Sequence, residues 1–244
     1  MKTRLYYLFG ATLVAIWAVA ALYATASAGA AAYPAGSLTW LDEFDDNTLD
    51  GRWFWLREDP THWSLTTRPG FLHITAQEPG LGNNLLLQQV PPGDFQLETR
   101  VLFTPTQNIQ RAGLIVYQDD TNLFMLLRAY CDFGPPFCPG NAIYFDHVEQ
   151  GQMIDGNFAM TTTVLNEAYL RLIRQGTVYT GFVSENGNDW VLVGAHTVVS
   201  GFVPLQIGLI ADVVPLGAPE IPAYFDYFTV IDYAPKFYLP LLQK

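Results

Sequence analysis

At 244 residues, with 12 basic residues against 23 acidic ones and a formal net charge of −11, the chain is long enough for one large β domain. Its acidity argues against nucleic acid or an anionic membrane surface as partner. Two cysteines and four scattered histidines give no spacing suited to a Cys/His metal centre.

Lys2 and Arg4 precede an uncharged, mostly apolar stretch, residues 5–24, and Ala26-Ser27-Ala28 forms a small-residue cleavage pattern. Residues 1–28 are therefore expected to be a secretory signal peptide, and the mature protein to be secreted. If retained, the same stretch is long enough to span a bilayer and would supply the chain's membrane contact. Residues 29–37 read as a linker.

Residues 38–44 form the first predicted strand, ended by the acidic turn Asp45-Asp46-Asn47. Across 52–58, alternation puts Trp53, Trp55 and Arg57 on one face and Phe54, Leu56 and Glu58 on the other. Strands at 63–66 and 71–76 flank Arg68-Pro69-Gly70, which suits a type II turn. A Gly-rich loop at 77–84 leads to strands at 85–90 and 95–103, separated by Pro91-Pro92-Gly93.

The centre of the chain is RAGLIVYQ-DDTN-LFMLLRAY, residues 111–130. Two apolar runs around a polar break predict a β-hairpin, and their nearly continuous apolarity predicts a position mid-sheet, covered on at least one side. Cys131 and Cys138 follow in CDFGPPFC. In a secreted chain they are expected to form a disulfide.

Further strands are predicted at 142–148, 168–174, 177–184, 190–196, 206–212 and 223–231. Residues 149–160 and 215–222 read as loops, and Asn186-Gly187 marks a hairpin. In the last strand, Phe225 and Tyr227 alternate against Tyr224, Asp226 and Phe228. Residues 235–244 are a short tail. No long helical period occurs, and short strands punctuated by Gly, Pro and Asn indicate a two-sheet antiparallel β-sandwich over 38–234.

Several segments resemble one known family: LDEFDDNTLDGRWFWLRE (41–58), WSLTTRPGFLHITA (63–76), NNLLLQ (83–88), DFQLETRVLFTP (94–105), the central hairpin, and AYFDYFTVID (223–232). In that order and spacing they resemble the concanavalin A-like sandwich at the C-terminus of glycoside hydrolase family 43 β-xylosidases. The resemblance implies an all-β jelly roll and a carbohydrate context, without implying catalysis. It places the family's catalytic centre in a separate five-bladed propeller, for which this sequence leaves no room. Within that family the sandwich helps to wall the propeller's site, a role that does not carry over here without a partner.

Glycoside hydrolysis needs two carboxylates flanking the scissile bond. The E-x-D-x-x-E alternation of related sandwich hydrolases is missing: Glu98 stands alone in FQLETR, and Asp146 and Glu149 do not alternate as a pair. The Q-x-H pairing of sandwich-type polysaccharide lyases is missing too. The remaining candidates are sugar-binding residues: Trp53, Trp55, Arg57, Arg128, Tyr130 and Tyr144. Aromatic rings suit the C–H faces of sugars, and arginines amid apolar runs are simplest to place facing a groove. Each histidine reads as a sheet-surface residue. Asp42, Glu43 and Asp45 beside the first strand, with Asp226 in the last, form a possible calcium set, since calcium takes six to eight oxygens.

The sequence thus predicts a secreted, non-catalytic sandwich that binds polysaccharide or oligosaccharide on one sheet face. The alternatives are a glycosidase or lyase with a non-standard site, and a cell-surface structural module held by the N-terminal segment.

Overall fold

The structure, a computed structural model, describes residues 37–134, 138–154, 158–161, 166–198 and 201–233. The expected signal peptide, nearly all of the expected linker and the 235–244 tail lie outside these. So does the centre of the CDFGPPFC loop.

Among the described residues the regular structure is entirely β. Sheet A runs in the order β14 (Val191–Thr197), β13 (Val178–Ser184), β12 (Glu167–Gln175), β6 (Phe95–Leu102), β16 (Ile221–Asp232), β4 (Leu72–Ala76) and β3 (Trp63–Ser64), with β1 (Ser37–Asp42) also on β16. Sheet B runs β10 (Gln152–Met153), β9 (Cys138–Glu149), β8 (Asn122–Gly134), β7 (Gln110–Asp119), β15 (Gln206–Val213), β5 (Leu85–Gln89) and β2 (Phe54–Leu56), with β11 (Phe158–Thr161) also on β9. The strand ladders of both sheets are antiparallel. The two-sheet antiparallel sandwich is therefore as the sequence predicts, and β1 pairs with β16, the first described strand with the last.

The turn chemistry works as written. Phe71 N–H donates to the Arg68 carbonyl at 3.1 Å, and Gly70 sits at φ 76°, the left-handed angle that a type II turn requires at that position. Gly187 of the Asn-Gly pair likewise takes φ 76° and turns β13 into β14.

The central hairpin lies inside sheet B, between β9 and β15. Its period-2 alternation sends Leu114, Val116, Phe124 and Leu126 into the core between the sheets, with Leu97, Leu170, Leu172 and Phe228 from sheet A. The residues between them face the other way. Ile115, Tyr117, Leu123, Met125, Leu127 and Ala129 join Leu85, Leu87, Ile210 and Tyr144 in a second buried cluster on the outer face of sheet B. The hairpin is thus covered on both faces, which is why its sequence shows so little polar alternation.

Three expectations are corrected. The predicted loop at 149–160 contains β10 and part of β11, both paired to β9. The alternation of the last strand fails, because the register shifts between Phe225 and Phe228; this bulge turns both rings into the core. Arg57 does not continue the face of Trp53 and Trp55. It takes φ 56°, which ends the strand and swings its side chain away.

Candidate functional site

The outer face of sheet B is covered unevenly. At one end the 77–84 loop folds over it. Leu81 packs on the second cluster, and its N–H donates to Asp212 Oδ2 at 2.7 Å. Arg57 straps the loop down, donating to the carbonyls of Leu81 and Gly82 and to both oxygens of Asp120 at 3.1 and 3.0 Å. Tyr117 Oη donates to the same Asp120 carboxylate at 2.8 Å.

Beyond the loop the face is open. A cleft of about 210 Å³ is floored by Leu127 and Ala129 of β8 and walled by Ile109, Tyr130, Phe133 and Tyr144, with Arg111 and Asp146 on its lining. Cys131 and Cys138 also line it and are joined by the expected disulfide, which ties the far ends of β8 and β9 together. Phe133 is 72% exposed, so an unburied aromatic ring stands at the rim.

The polar floor is made by three strands. Arg111 on β7 lies opposite Asp212 on β15 and donates twice to it, from Nε at 2.5 Å and Nη2 at 2.9 Å. Both oxygens of Asp212, which is fully buried, are thereby occupied. Asp146 on β9 is 6% exposed, and its Oδ1 is buried without a hydrogen-bond partner. Burial pushes its carboxyl up to about 6; Arg111 pulls it down, and Asp212 pushes it up further. Tyr144 donates its hydroxyl to the Gly140 carbonyl at 2.8 Å. Burial, with the nearby Asp146 carboxylate, raises that phenol to about 12.

The expected sugar-binding residues divide. Tyr130 and Tyr144 come together in this cleft. Trp53 is a core residue, with its indole N–H donated to Asp42 Oδ2 at 2.8 Å. Trp55 is half-buried against Trp63, ring centroids 4.9 Å apart. Arg57 is the loop strap. Arg128 is the clearest correction: it is fully buried rather than groove-facing. Its guanidinium donates to the Ala129 and Ala142 carbonyls at 2.9 and 3.3 Å and to Asn141 Oδ1 at 2.8 Å. Burial lowers its pKa to about 10, so it stays cationic at neutral pH.

The calcium set is not gathered. Asp42, Glu43 and Asp45 line one surface hollow, but Asp42 is engaged by Trp53 and by Phe44 N–H at 2.8 Å. Asp226 instead accepts from Arg100 Nη1 at 3.1 Å. No group of three or more His, Cys, Asp or Glu among the described residues has metal-holding geometry. Two histidines also depart from the surface expectation. His147 and His196 are buried and pack around Phe124, His147 at a centroid distance of 4.0 Å.

Sequence reasoning missed Arg111 and Asp212 and set Asp146 aside for not alternating with Glu149. The available signal was a charge at an alternate position of a strand that is apolar on both faces, since such a charge must be paired or functional.

The comparisons with known proteins agree with this architecture. The family described as "Beta xylosidase C-terminal Concanavalin A-like domain" matches residues 41–231. The chain is 36% identical over 89 residues to a protein of Escherichia coli K12 named "Putative beta-xylosidase", covering 34% of this chain and 16% of that one. In three dimensions it superposes on the GH43 protein BlXynB of Bacillus licheniformis with a TM-score of 0.70 and 20% identity, over 79% of this chain and 39% of that one. It also superposes on the xylan β-1,4-xylosidase of Bacillus halodurans C-125 with a TM-score of 0.68 and 20% identity, over 82% and 40%. The chain spans well under half the length of each of these relatives, and the structural likenesses show the fold alone. With the family match running across nearly all of both sheets, the chain belongs to the family of β-xylosidase C-terminal concanavalin A-like domains.

Proposed function

We propose that this chain is a secreted, non-catalytic carbohydrate-binding sandwich, which takes neutral plant-type polysaccharide or its oligosaccharides on the outer face of sheet B. The family and its β-xylosidase relatives supply the carbohydrate context. The observation that carries the reading is that Asp146 is the one carboxylate among the described residues lining the cleft, Asp212 being fully buried behind Arg111. Asp212 is held at both oxygens by Arg111 and Leu81, and Asp146 alone keeps a buried oxygen unengaged. Hydrolysis of a glycosidic bond uses an acid and a second carboxylate as base or nucleophile, and the described lining of the cleft supplies one. A single acceptor beside aromatic walls suits binding: ring C–H faces rest on Tyr130 and Phe133 while hydroxyls find polar partners.

Calorimetric titration of the purified mature chain with xylans, arabinans and mixed-linkage glucans tests the binding. Saturable heat with at least one of them is expected, and flat heats throughout would overturn it. Reducing-sugar release from the same glycans would overturn the non-catalytic part. Export is tested separately: mass spectrometry of the exported protein should find a mature N-terminus near Gly29, whereas an intact Met1 in the membrane fraction would favour an anchored form.

A further inference from the structure

Among the described residues that line the cleft, Asp146 is the one with a side-chain polar atom buried without a partner. Its Oδ1 is buried and has no donor, and buried polar atoms in folded proteins are nearly always hydrogen-bonded. Arg111 is held by Asp212 and the Tyr144 hydroxyl by Gly140. The missing partner of Asp146 is therefore a donor from outside.

Charge narrows what that donor is. An anion would meet the Asp146 carboxylate, and a cation would meet the Arg111 guanidinium, which is close enough to pull the Asp146 carboxyl downward. Neither is well matched, whereas an uncharged O–H is. A divalent ion would need six or more oxygens, which the described residues do not supply in one group. The remaining walls are Leu127, Tyr130 and the exposed ring of Phe133, an apolar surface for C–H groups. The volume, about 210 Å³, is below the roughly 300–1,000 Å³ of sites for drug-sized ligands and limits the cleft to one small ring.

We propose that this cleft is a single-residue subsite that holds one neutral sugar ring, with a ring hydroxyl donating to Asp146 Oδ1 and the ring's C–H face against Tyr130 and Phe133. The inference rests on the carbohydrate-binding reading above and assigns that reading's polar contact. The contact requires the carboxylate, so occupancy falls as Asp146 takes up a proton. The charged and titratable groups facing Asp146 are Arg111 from β7, Asp212 from β15 and Tyr144 from β9 itself. From β8, Met125 stands directly opposite it in the ladder. Of these groups, Asp146 is the one whose carboxyl is raised by burial to about 6.

The test is methyl NMR on the full mature chain, titrated with xylose, arabinose, glucose and xylobiose at pH 7.5 and pH 5. At least one of these should shift the Leu127 and Ala129 methyls saturably, with affinity several-fold lower at pH 5. The isosteric Asp146→Asn variant should bind at least tenfold more weakly at pH 7.5 and lose the pH dependence. Shifts at those methyls that are indifferent both to Asp146→Asn and to pH would overturn the proposal. Glycan binding that maps elsewhere would also overturn it while leaving the carbohydrate-binding reading intact. Sugar shifts at Leu127 and Ala129 without any polysaccharide heat would support the subsite and overturn the polysaccharide reading. Silence in both measurements would end both.

Discussion

On the outer face of sheet A, Arg171 donates twice to Glu98 Oε2, at 2.9 and 2.8 Å. Tyr227 donates to the other oxygen of Glu98 at 2.8 Å, and the guanidinium lies 3.7 Å from the Trp190 ring centroid. One ladder step away, Arg100 joins Glu167 and Asp226. On the outer face of sheet B, Arg111 also donates twice to one carboxylate, there to each oxygen of Asp212, but nearby Asp146 keeps an oxygen with no donor. The residue types match; the surroundings do not. Sheet A's pairs are roughly a quarter exposed, so water would satisfy anything left over. Sheet B's face is buried under apolar side chains, so a leftover acceptor there carries a standing cost and marks a place for a ligand.

The largest expected effect comes from breaking the buried pair. Arg111→Ala leaves Asp212, fully buried, with the Leu81 N–H donating at 2.7 Å, and removes the charge that offsets Asp146. Losing one partner of a buried ion pair costs about 3–5 kcal/mol. Urea denaturation at pH 7 should show that drop; a change below about 1 kcal/mol would mean that sheet B's pair behaves like a surface pair.

Asp146→Asn should act in the opposite direction. The folded carboxyl is raised from 3.8 to about 6. The folded state therefore binds the proton more tightly, and Asp146 weakens the fold progressively as pH rises from about 4 to 6. Removing the charge should stabilise the protein at pH 7 by about 2–3 kcal/mol and by little at pH 4. Equal melting temperatures of wild type and variant at pH 7 would show that Asp146 is solvated after all. Paired with the weaker sugar binding expected of the same variant, greater stability would identify a group kept for ligand rather than for fold.

How far the sequence could be read follows from the same contrast. Strands and turns were legible because their signals are local: Gly70 and Gly187 at φ 76° sit in motifs that demand that angle, and the apolar run through 123–130 announced a mid-sheet position covered on at least one side. Alternation failed where the backbone departed from a flat strand, at the bulge between Phe225 and Phe228 and at Arg57. The edge strands β10 and β11 were hidden by their shortness, two and four residues, too few to show an alternation. Of the cleft, Tyr130 and Tyr144 were found by residue type. Asp146 and Arg111 were not, because they are 35 positions apart in sequence and meet only through the ordering of β7, β8 and β9. Arg128 was misplaced because a guanidinium can be buried among backbone carbonyls and a side-chain amide, a possibility that composition does not reveal.

Replacing Cys131 and Cys138 together by Ser should lower stability by about 2–3 kcal/mol, as the chain-entropy relation gives for a loop this short. Because both sulfurs line the cleft, the double variant also tests its rim. A lower melting temperature with unchanged sugar affinity makes the bond a staple alone, whereas weaker binding by a folded variant makes it part of the site's frame.

The smallest effect is expected on sheet A. Arg171→Ala removes two hydrogen bonds and a ring contact, against the two hydrogen bonds to Asp212 lost with Arg111. By contact tally it should therefore be the more damaging change. By environment it should not: the Arg171 and Glu98 side chains are 24% and 16% exposed, Glu98 keeps the Tyr227 hydroxyl, and water can take the vacated places. Partly exposed pairs contribute about 0–1 kcal/mol and an accessible cation–π contact about 0.5–1 kcal/mol, so a loss near 1 kcal/mol is expected, falling further at high salt. A loss as large as that of Arg111→Ala, insensitive to salt, would show that sheet A's outer face is sealed like sheet B's, and the contrast on which the ligand cleft rests would fail.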